Sequence, residues 1–348
     1  IAKSGEAGSL CGSDPARRLI AKSGDGIKGF CADGGGWLTR LAESPAFQHR
    51  DKITILNVGA NKGYNIAMML QLWAGATWTN SDWRLSFTRH ARIHNLTLPG
   101  KRTYSCGVCL ACEWKPEPTL AKWIPPSHVA IHAFEMVPAL VGWLRWATKG
   151  MRGESRSSDV FRVPHHRGTV KLVHAAVTNV SSVQRNVAVS RLFGDETSSV
   201  SSTTAQHLQQ HERVQAIALD DYLASEAISH VHLLQVDAEG HDELVLRGVQ
   251  RSLRARRIDL FEVEYKGKAG RLPSFGWGSG WDSGRTLKET LSWLHELGYS
   301  CFWQVARGLV PISGQCFHEE YETREGNLLC AVHGPSYSWL TRIFVPRV

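Results

Sequence analysis

The residues best suited to chemistry lie in one stretch, HLLQVDAEGHDELVLRGV, where an apolar run leads directly into Asp237, Glu239 and His241. Glu264 ends another apolar run in DLFEVEY. A carboxylate or an imidazole within hydrogen-bond reach of a bound hydroxyl can remove its proton during attack. We predict that these four residues serve catalysis, with Asp237 as the base or acceptor-orienting group. Two alternatives are structural: Glu239 caps the following helix, and His241 is merely exposed in its first turn.

A glycine-bracketed turn in ILNVGANKGYN joins a β-like run to a helix-like run. Such a turn lets the backbone approach a ligand at a helix N-terminus. The later segment VAIHAFEMVP ends a strand at Glu135, where an acid can accept hydrogen bonds from ribose hydroxyls. NAD and FAD stay open as cofactors, although GANKG lacks the full G-x-G-x-x-G pattern that approaches a pyrophosphate. The predicted cofactor residues are Asn57, Val58, Gly59, Ala60, Asn61, Gly63 and Glu135.

Three closely spaced cysteines, Cys106, Cys109 and Cys112, form a further candidate site. Thiolates at this spacing can converge on one metal, most simply Zn²⁺, which requires four ligands. No fourth cysteine completes the iron–sulfur run C-x2-C-x2-C-x3-C-P. Structural zinc is one reading of the cluster, and reduced or disulfide-paired thiols are the other.

The elements that must position these residues alternate between short apolar runs and amphipathic stretches from Lys52 onward. This alternation predicts an α/β fold with a doubly wound, mostly parallel sheet of seven strands. The predicted strands are 53–58, 129–134, 170–177, 231–236, 258–264, 299–304 and 328–333. The predicted helices are 64–72, 139–147, 242–254 and 286–297.

The chain divides into an irregular N-terminal arm (1–48), one α/β domain (49–335) and a C-terminal tail (336–348). In a nucleotide-binding βαβ unit, an acid at the end of the second strand usually follows the glycine turn by about 20 residues. Here Glu135 follows Gly59 by a much longer stretch of sequence. We therefore predict an insertion at about 74–126, which is rich in tryptophan and contains the cysteine cluster. A glycine-rich loop at 266–285, with Trp277 and Trp281, follows the fifth strand and is interpreted as a lid or as plain loop.

The chain has 348 residues, a net charge of +8 and a pI near 9.1. Its basic residues form no long run, so the charge alone does not favour nucleic acid as a partner. The sequence has no apolar stretch long enough for a membrane span. Two sequons, at Asn95 and Asn179, would permit glycosylation in a secretory compartment. The sequence decides neither the compartment, cytoplasm or secretory lumen, nor the oligomeric state.

Several motifs in the same order resemble the FkbM methyltransferases: LNVGANKGYN, HAFEMVP, AAVTN, ALDDYL, LLQVDAEGHDELVLRGV, DLFEVEY and LHELGY. The resemblance covers roughly 53–333 without the insertion. It implies a class I Rossmann-like fold whose last strand is antiparallel, and S-adenosylmethionine as cofactor. It also implies O-methylation of a hydroxyl on a sugar, a glycan or a small natural product. Ala176 and Asp237 join the cofactor residues on this basis.

Two positions depart from the family's usual pattern. The first motif usually opens with Asp, where this chain has Asn57, and Lys usually stands where this chain has Gln235. An amide at position 57 loses a charge attraction to the cofactor's ammonium. These departures leave open a degenerate scaffold without catalysis. The basic insertion, rich in cysteine and tryptophan, leaves open an RNA methyltransferase that uses it to bind RNA. The D-A-E-G segment stands where base-nitrogen enzymes carry an N/D-P-P-Y type motif, and most of the site residues are retained. Both facts favour the hydroxyl methyltransferase.

Overall fold

A computed structural model describes residues 41, 47, 50–76, 80–98, 128–150, 155–157, 160–162, 168–194, 209–267, 281–305 and 308–344. The strands are β1 Lys52–Val58, β2 His128–Glu135, β3 Ser155–Ser157, β4 Val160–Arg162, β5 Gly168–His174, β6 Ala176–Val177, β7 Ser182–Ser190, β8 Gln209–Ile217, β9 Val231–Val236, β10 Ile258–Tyr265, β11 Tyr299–Val305, β12 Gly308–Pro311 and β13 Gly326–Val332. The α-helices are α1 Tyr64–Ala74, α2 Asn80–Ile93, α3 Pro138–Gly150, α4 Leu219–Ser225, α5 Asp242–Arg247, α6 Gln250–Arg254, α7 Leu287–Glu296 and α8 Pro335–Phe344. Two 3₁₀ helices span Gly314–Cys316 and Glu319–Thr323.

Ten of the described strands form one sheet in the order β12-β11-β13-β10-β9-β1-β2-β5-β4-β3. The five strands from β10 to β5 run parallel, and β13 lies antiparallel between β10 and β11. The strand order reverses between β1 and β9, so these two strands end side by side at the topological switch point. In open α/β sheets, ligands bind beyond the carboxyl ends of the strands at that point.

The central strands are apolar on both faces because helices cover both sides of the sheet. Every residue of β9 is buried, and so is all of β1 except its first residue. Almost the whole of α1 is buried as well, which explains its nearly continuous apolar sequence. A fully buried disulfide joins Cys301 to Cys330 across β11 and β13. None of the described helices is long and apolar enough to cross a membrane.

The mixed α/β architecture with a largely parallel sheet is confirmed, but the prediction of seven strands is wrong for the described residues. The seven predicted strands correspond to β1, β2, β5, β9, β10, β11 and β13, and the strands β3, β4 and β12 extend the sheet at its edges. The predicted strand at 170–177 divides at Ala175 because β6 leaves the main sheet. It joins β7 and β8, neither of which was predicted, in a separate three-stranded sheet.

The predicted helix at 242–254 is two short helices, α5 and α6. The Asp220 carboxylate accepts hydrogen bonds from the backbone N–H groups of Arg251 and Ser252 and so caps α6. Gly248, between the helices, lies so close to α4 and β6 that an added Cβ would stand 2.1 Å from the Thr178 carbonyl oxygen. A cap from 30 residues earlier in the chain leaves no local signal, which is why the periodicity suggested one helix.

The flanking segments are only partly described. Within the predicted insertion, α2 packs Trp83 and Phe87 into the core, and 99–127 lies outside the described residues. From the predicted N-terminal arm, only Leu41 and Phe47 are described, and both are buried. The predicted C-terminal tail contains α8, whose Leu340 is fully buried. The domain boundaries themselves stay a prediction.

Candidate functional site

A cleft of about 590 Å³ opens where β1, β2 and β9 end. Its walls combine apolar side chains with three carboxylates, from Glu135, Asp237 and Glu239. The lining residues are Val58, Gly59, Asn61, Phe134, Glu135, Met136, Val137, Leu140, Ala175, Ala176, Val177, Asp237, Ala238 and Glu239.

The glycine turn after β1 forms one wall of the cleft. The backbone N–H groups of Gly59 and Ala60 both donate to the Phe134 carbonyl oxygen, at 3.1 and 3.0 Å, so they hold the turn to β2. These two N–H groups are thus engaged within the protein. Gly59 has a φ of 77°, and a Cβ there would lie 1.9 Å from the Asp237 carbonyl oxygen. A glycine is therefore needed for contact between this turn and the segment after β9.

Two indole groups also hold this turn by hydrogen bonds. Trp83 Nε1 and Trp143 Nε1 both donate to the Lys62 carbonyl oxygen, at 2.6 and 2.9 Å. Gly63 has a φ of 80°, and a Cβ there would lie 2.8 Å from the Trp83 ring and 2.6 Å from the Leu144 side chain. Gly63 thus serves packing beneath the turn and does not line the cleft, in contrast to its predicted role.

Glu135, at the tip of β2, holds the cleft together. One of its carboxylate oxygens accepts the Asn61 backbone N–H at 2.6 Å and the other accepts that of Val137 at 2.8 Å. Burial raises the pKa of the Glu135 carboxyl, and these backbone donors act against the rise. Each carboxylate oxygen keeps acceptor capacity for a hydroxyl donor from the cleft.

Acidic residues gather on the opposite wall around one cation. Lys266 follows β10, and its ammonium donates to the Glu239 carboxylate and lies 3.8 Å from that of Glu264. Burial would lower the pKa of Lys266, but these two carboxylates raise it above its usual value, so it stays charged. Lys266 was not predicted as a site residue, although its place directly after the DLFEVEY strand is a visible signal in the sequence.

Asp237 lies on the same wall, and in the described part of the chain no side chain pairs with its carboxylate. It is exposed to the open cleft, unlike the nearby Asp242, which is fully buried. Surrounding protein, followed by the charges of Glu239 and Glu264, raises the pKa of Asp237, and Lys266 lowers it. Asp237 is therefore the carboxylate best placed to accept a proton from a bound ligand.

Asp242 is fully buried near Asp237 and has a structural role. Its carboxylate accepts backbone N–H groups from Ala238, Gly240 and Glu264, at 3.5, 3.2 and 3.3 Å, and so orders the D-A-E-G turn. Burial, then the charge of Glu264, raises its pKa to about 7. The residue at the N-cap position of α5 is His241, and the carboxylate of Glu239 binds Lys266.

His241 lies outside the cleft lining and is buried, not exposed. Its Nδ1 lies 3.3 Å from an Asp282 carboxylate oxygen, and its Nε2 lies 2.9 Å from the Thr178 hydroxyl oxygen. Both ring nitrogens are thus engaged within the protein, and the geometry argues against the predicted role as a base. Instead, His241, at the start of α5, links Asp282 to Thr178, which directly follows β6.

A family model described as the methyltransferase FkbM domain matches residues 57–301. The chain belongs to the FkbM methyltransferase family. No curated protein and no solved structure gives a significant match. The matched range contains the glycine turn, Glu135, Asp237 and Lys266, so the whole described cleft lies within the FkbM domain.

The two departures from the FkbM pattern are neighbours in the structure. Asn57 and Gln235 are paired in register on β1 and β9, and Asn57 Nδ2 donates to Gln235 Oε1 at 3.4 Å. Gln235 and Gln304 each donate an amide N–H to the Glu262 carboxylate, at 2.8 and 2.9 Å. Asn57 is buried and is not among the residues that line the cleft. An Asp and a Lys at these positions would form an ion pair, which this chain replaces with an amide pair.

We expect Asn57→Asp and Gln235→Lys to be coupled. Asn57→Asp alone buries a carboxylate without a cation and should lower the free energy of unfolding by about 3 kcal/mol. The double variant supplies the missing ammonium and should recover at least about 1 kcal/mol of that loss. Urea unfolding of the wild type, the singles and the double measures this coupling, with Asn186→Asp on the exposed side of β7 as control. Additive losses would contradict the pairing.

The remaining predicted site residues differ in their outcomes. Val58, Gly59, Asn61, Glu135, Ala176, Asp237 and Glu239 line the cleft, while Asn57, Ala60, Gly63, His241 and Glu264 do not. Trp281 is buried against Tyr265, and its Nε1 donates to the Glu264 carbonyl oxygen, so it is not the exposed lid residue that the sequence suggested. Trp277 lies outside the described residues.

The zinc prediction concerns Cys106, Cys109 and Cys112, all outside the described residues, and nothing described supports it. Each described cysteine, namely Cys301, Cys316 and Cys330, is disulfide-bonded.

Proposed function

We propose that this FkbM protein transfers a methyl group from S-adenosylmethionine to a hydroxyl of a sugar, a glycan or a small natural product. One observation carries the proposal: the Asp237 carboxylate, with which no described side chain pairs, faces the same cleft as Glu135, at the switch point between β1 and β9. One acid is thus available to hold the cofactor and another to act on the acceptor.

The described residues fit the cofactor. Glu135 would accept the ribose hydroxyls, since an acid at the tip of the second strand is suited to both. Phe134, Val137 and Leu140 offer an apolar wall for the adenine, beside the small Ala176. The turn 59–63 need not bind a phosphate, because this cofactor has none, and this agrees with the inward-bonded N–H groups of Gly59 and Ala60.

S-adenosylmethionine, when bound, supplies an electrophilic methyl group on a sulfonium. The chain's own contribution is to orient the acceptor and to receive its proton. Asp237 would accept the hydroxyl proton as the oxygen attacks, and its raised pKa makes it a stronger base than an ordinary carboxylate. Glu239, held by Lys266, would orient a neighbouring hydroxyl of a polyol.

The charge of the acceptor wall favours a neutral acceptor over RNA. Among the described residues, the carboxylates of Asp237 and Glu239 line the cleft, and that of Glu264 lies 3.8 Å from the Lys266 ammonium, so this wall would repel a polyanion. The net charge of +8 belongs to the whole chain and does not describe the cleft. RNA methylation therefore remains the weaker alternative.

Titration calorimetry with S-adenosylhomocysteine tests the proposal. Glu135→Ala removes the ribose acceptor and frees the N–H groups of Asn61 and Val137, so we expect affinity to fall at least tenfold, about 1.4 kcal/mol. Glu296→Ala, at the exposed end of α7, is the matched control and should bind like the wild type. Absence of binding by folded wild-type protein would overturn the methyltransferase proposal in favour of a scaffold.

Lys266 gives a prediction on pH dependence. Lys266→Met removes the charge that lowers the pKa of Asp237. The carboxyl must be ionised to act as a base, so a higher pKa should move the acid limb of the kcat/KM profile to higher pH. Lys266→Arg keeps the charge and should retain the wild-type profile. The profile is measured by methyl transfer to an acceptor found by screening glycans and polyols, and an unshifted Lys266→Met profile would rule out this role.

A further inference from the structure

Both sequons of the chain lie on its described surface. Asn95 follows α2 in a left-handed conformation, with a φ of 51°, and Asn179 follows β6. Both asparagines are exposed, as are the hydroxyl residues Thr97 and Ser181 that complete the two sequons. In the described part of the chain, neither side-chain Nδ2 has a hydrogen-bond partner. Both amides are therefore accessible to an external modifying enzyme.

Exposed apolar side chains cluster at the same two places. The large apolar side chains exposed among the described residues are Leu85, Ile93, Val180 and Val183, at 64, 57, 63 and 87%. Ile93 stands two residues before Asn95, and Leu85 is eight residues earlier, on the same side of α2. Val180 and Val183 lie within four residues of Asn179. A glycan attached to the neighbouring asparagine would lie close to Ile93, or to Val180 and Val183.

The cysteines give an independent indication of the compartment. Cys301 and Cys330 form a disulfide in the core of the sheet, and Cys316 is disulfide-bonded too. Disulfides form and persist in oxidising compartments and are rare in the cytosol. Asparagine-linked glycosylation takes place in the same secretory environment.

We propose that Asn95 and Asn179 carry N-linked glycans and that this protein matures in a secretory lumen. In the modification step, the asparagine Nδ2 forms a bond to the anomeric carbon of an oligosaccharide carried on a polyprenyl diphosphate. The bond from that carbon to the phosphate oxygen breaks, the diphosphate leaves, and the amide proton passes to a base of the transferase. The proposal is independent of the methyl-transfer function.

The test uses the native protein, captured with an antibody from the cells that produce it. Digestion with peptide N-glycosidase should increase its gel mobility, and mass spectrometry should find aspartate at positions 95 and 179. Unchanged mobility together with unmodified asparagine at both positions would overturn the proposal.

Variants expressed in the same cells assign the two sites. Asn95→Gln and Asn179→Gln should each remove one step of the mobility shift, and the double variant should remove all of it. Asn186→Gln, an exposed asparagine of β7 outside any sequon, is the matched control and should keep the full shift. A shift that persists in the double variant would place the modification elsewhere and contradict the assignment.

Discussion

Asp237→Asn is expected to abolish most methyl transfer while leaving cofactor binding intact. The amide has the same shape as the carboxylate but cannot accept the acceptor's proton, and loss of a general base typically costs about 10²- to 10⁴-fold in rate. Because Asp237 opens onto the cleft and pairs with no described side chain, its replacement disturbs no contact that holds the fold. The rate constant kcat is measured with labelled S-adenosylmethionine and the acceptor found by screening.

Three comparisons make the Asp237→Asn result specific. Calorimetric affinity for S-adenosylhomocysteine should change less than threefold, which separates loss of chemistry from loss of binding. Glu296→Gln, far from the cleft, should keep the wild-type kcat. Glu239→Gln weakens an ion pair with Lys266 and should reduce kcat less than Asp237→Asn does. A kcat for Asp237→Asn within threefold of wild type would exclude Asp237 as the base.

Gly59→Ala is expected to remove both stability and cofactor binding. The new methyl group would lie 1.9 Å from the Asp237 carbonyl oxygen, and the φ of 77° is unfavourable for any residue with a Cβ. The left-handed conformation alone costs about 1 kcal/mol, and displacing the backbone after β9 adds to this, so we expect a loss of at least about 2 kcal/mol. Urea unfolding measures the loss, and calorimetry measures binding at a temperature where the variant is folded.

The control for Gly59→Ala is another glycine-to-alanine change in the same region of the fold. Gly142 lies within α3, and a Cβ there would meet no atom within 4 Å. Gly142→Ala should therefore stabilise the protein by about 0.5 to 1 kcal/mol, through better helix propensity, and leave binding unchanged. Equal effects of the two substitutions would show that the close approach of the Gly59 turn to Asp237 has no energetic importance.

Much of the cleft follows from local pattern. Short apolar runs, each followed by a small or acidic residue, indicated where β1, β2 and β9 end. The carboxyl ends of parallel strands meet at one edge of a sheet, so Gly59, Glu135 and Asp237 could be expected to meet there. Such a pattern reports the direction and burial of a strand, which are properties of neighbouring residues.

The partners of the polar side chains were decided only by tertiary structure. The sequence offered Asp237, Glu239, His241 and Glu264 as candidates, with Asp237 preferred as the base. In the structure, Lys266 binds Glu239, and Asp282 and Thr178 engage His241. In the sequence, Asn57 and Gln235 are two separate departures from the family pattern, 178 residues apart. In the structure, their side chains are hydrogen-bonded neighbours. Local sequence specifies which residues reach the edge of the sheet. Which carboxylate is left free depends on distances between side chains that come from remote parts of the chain.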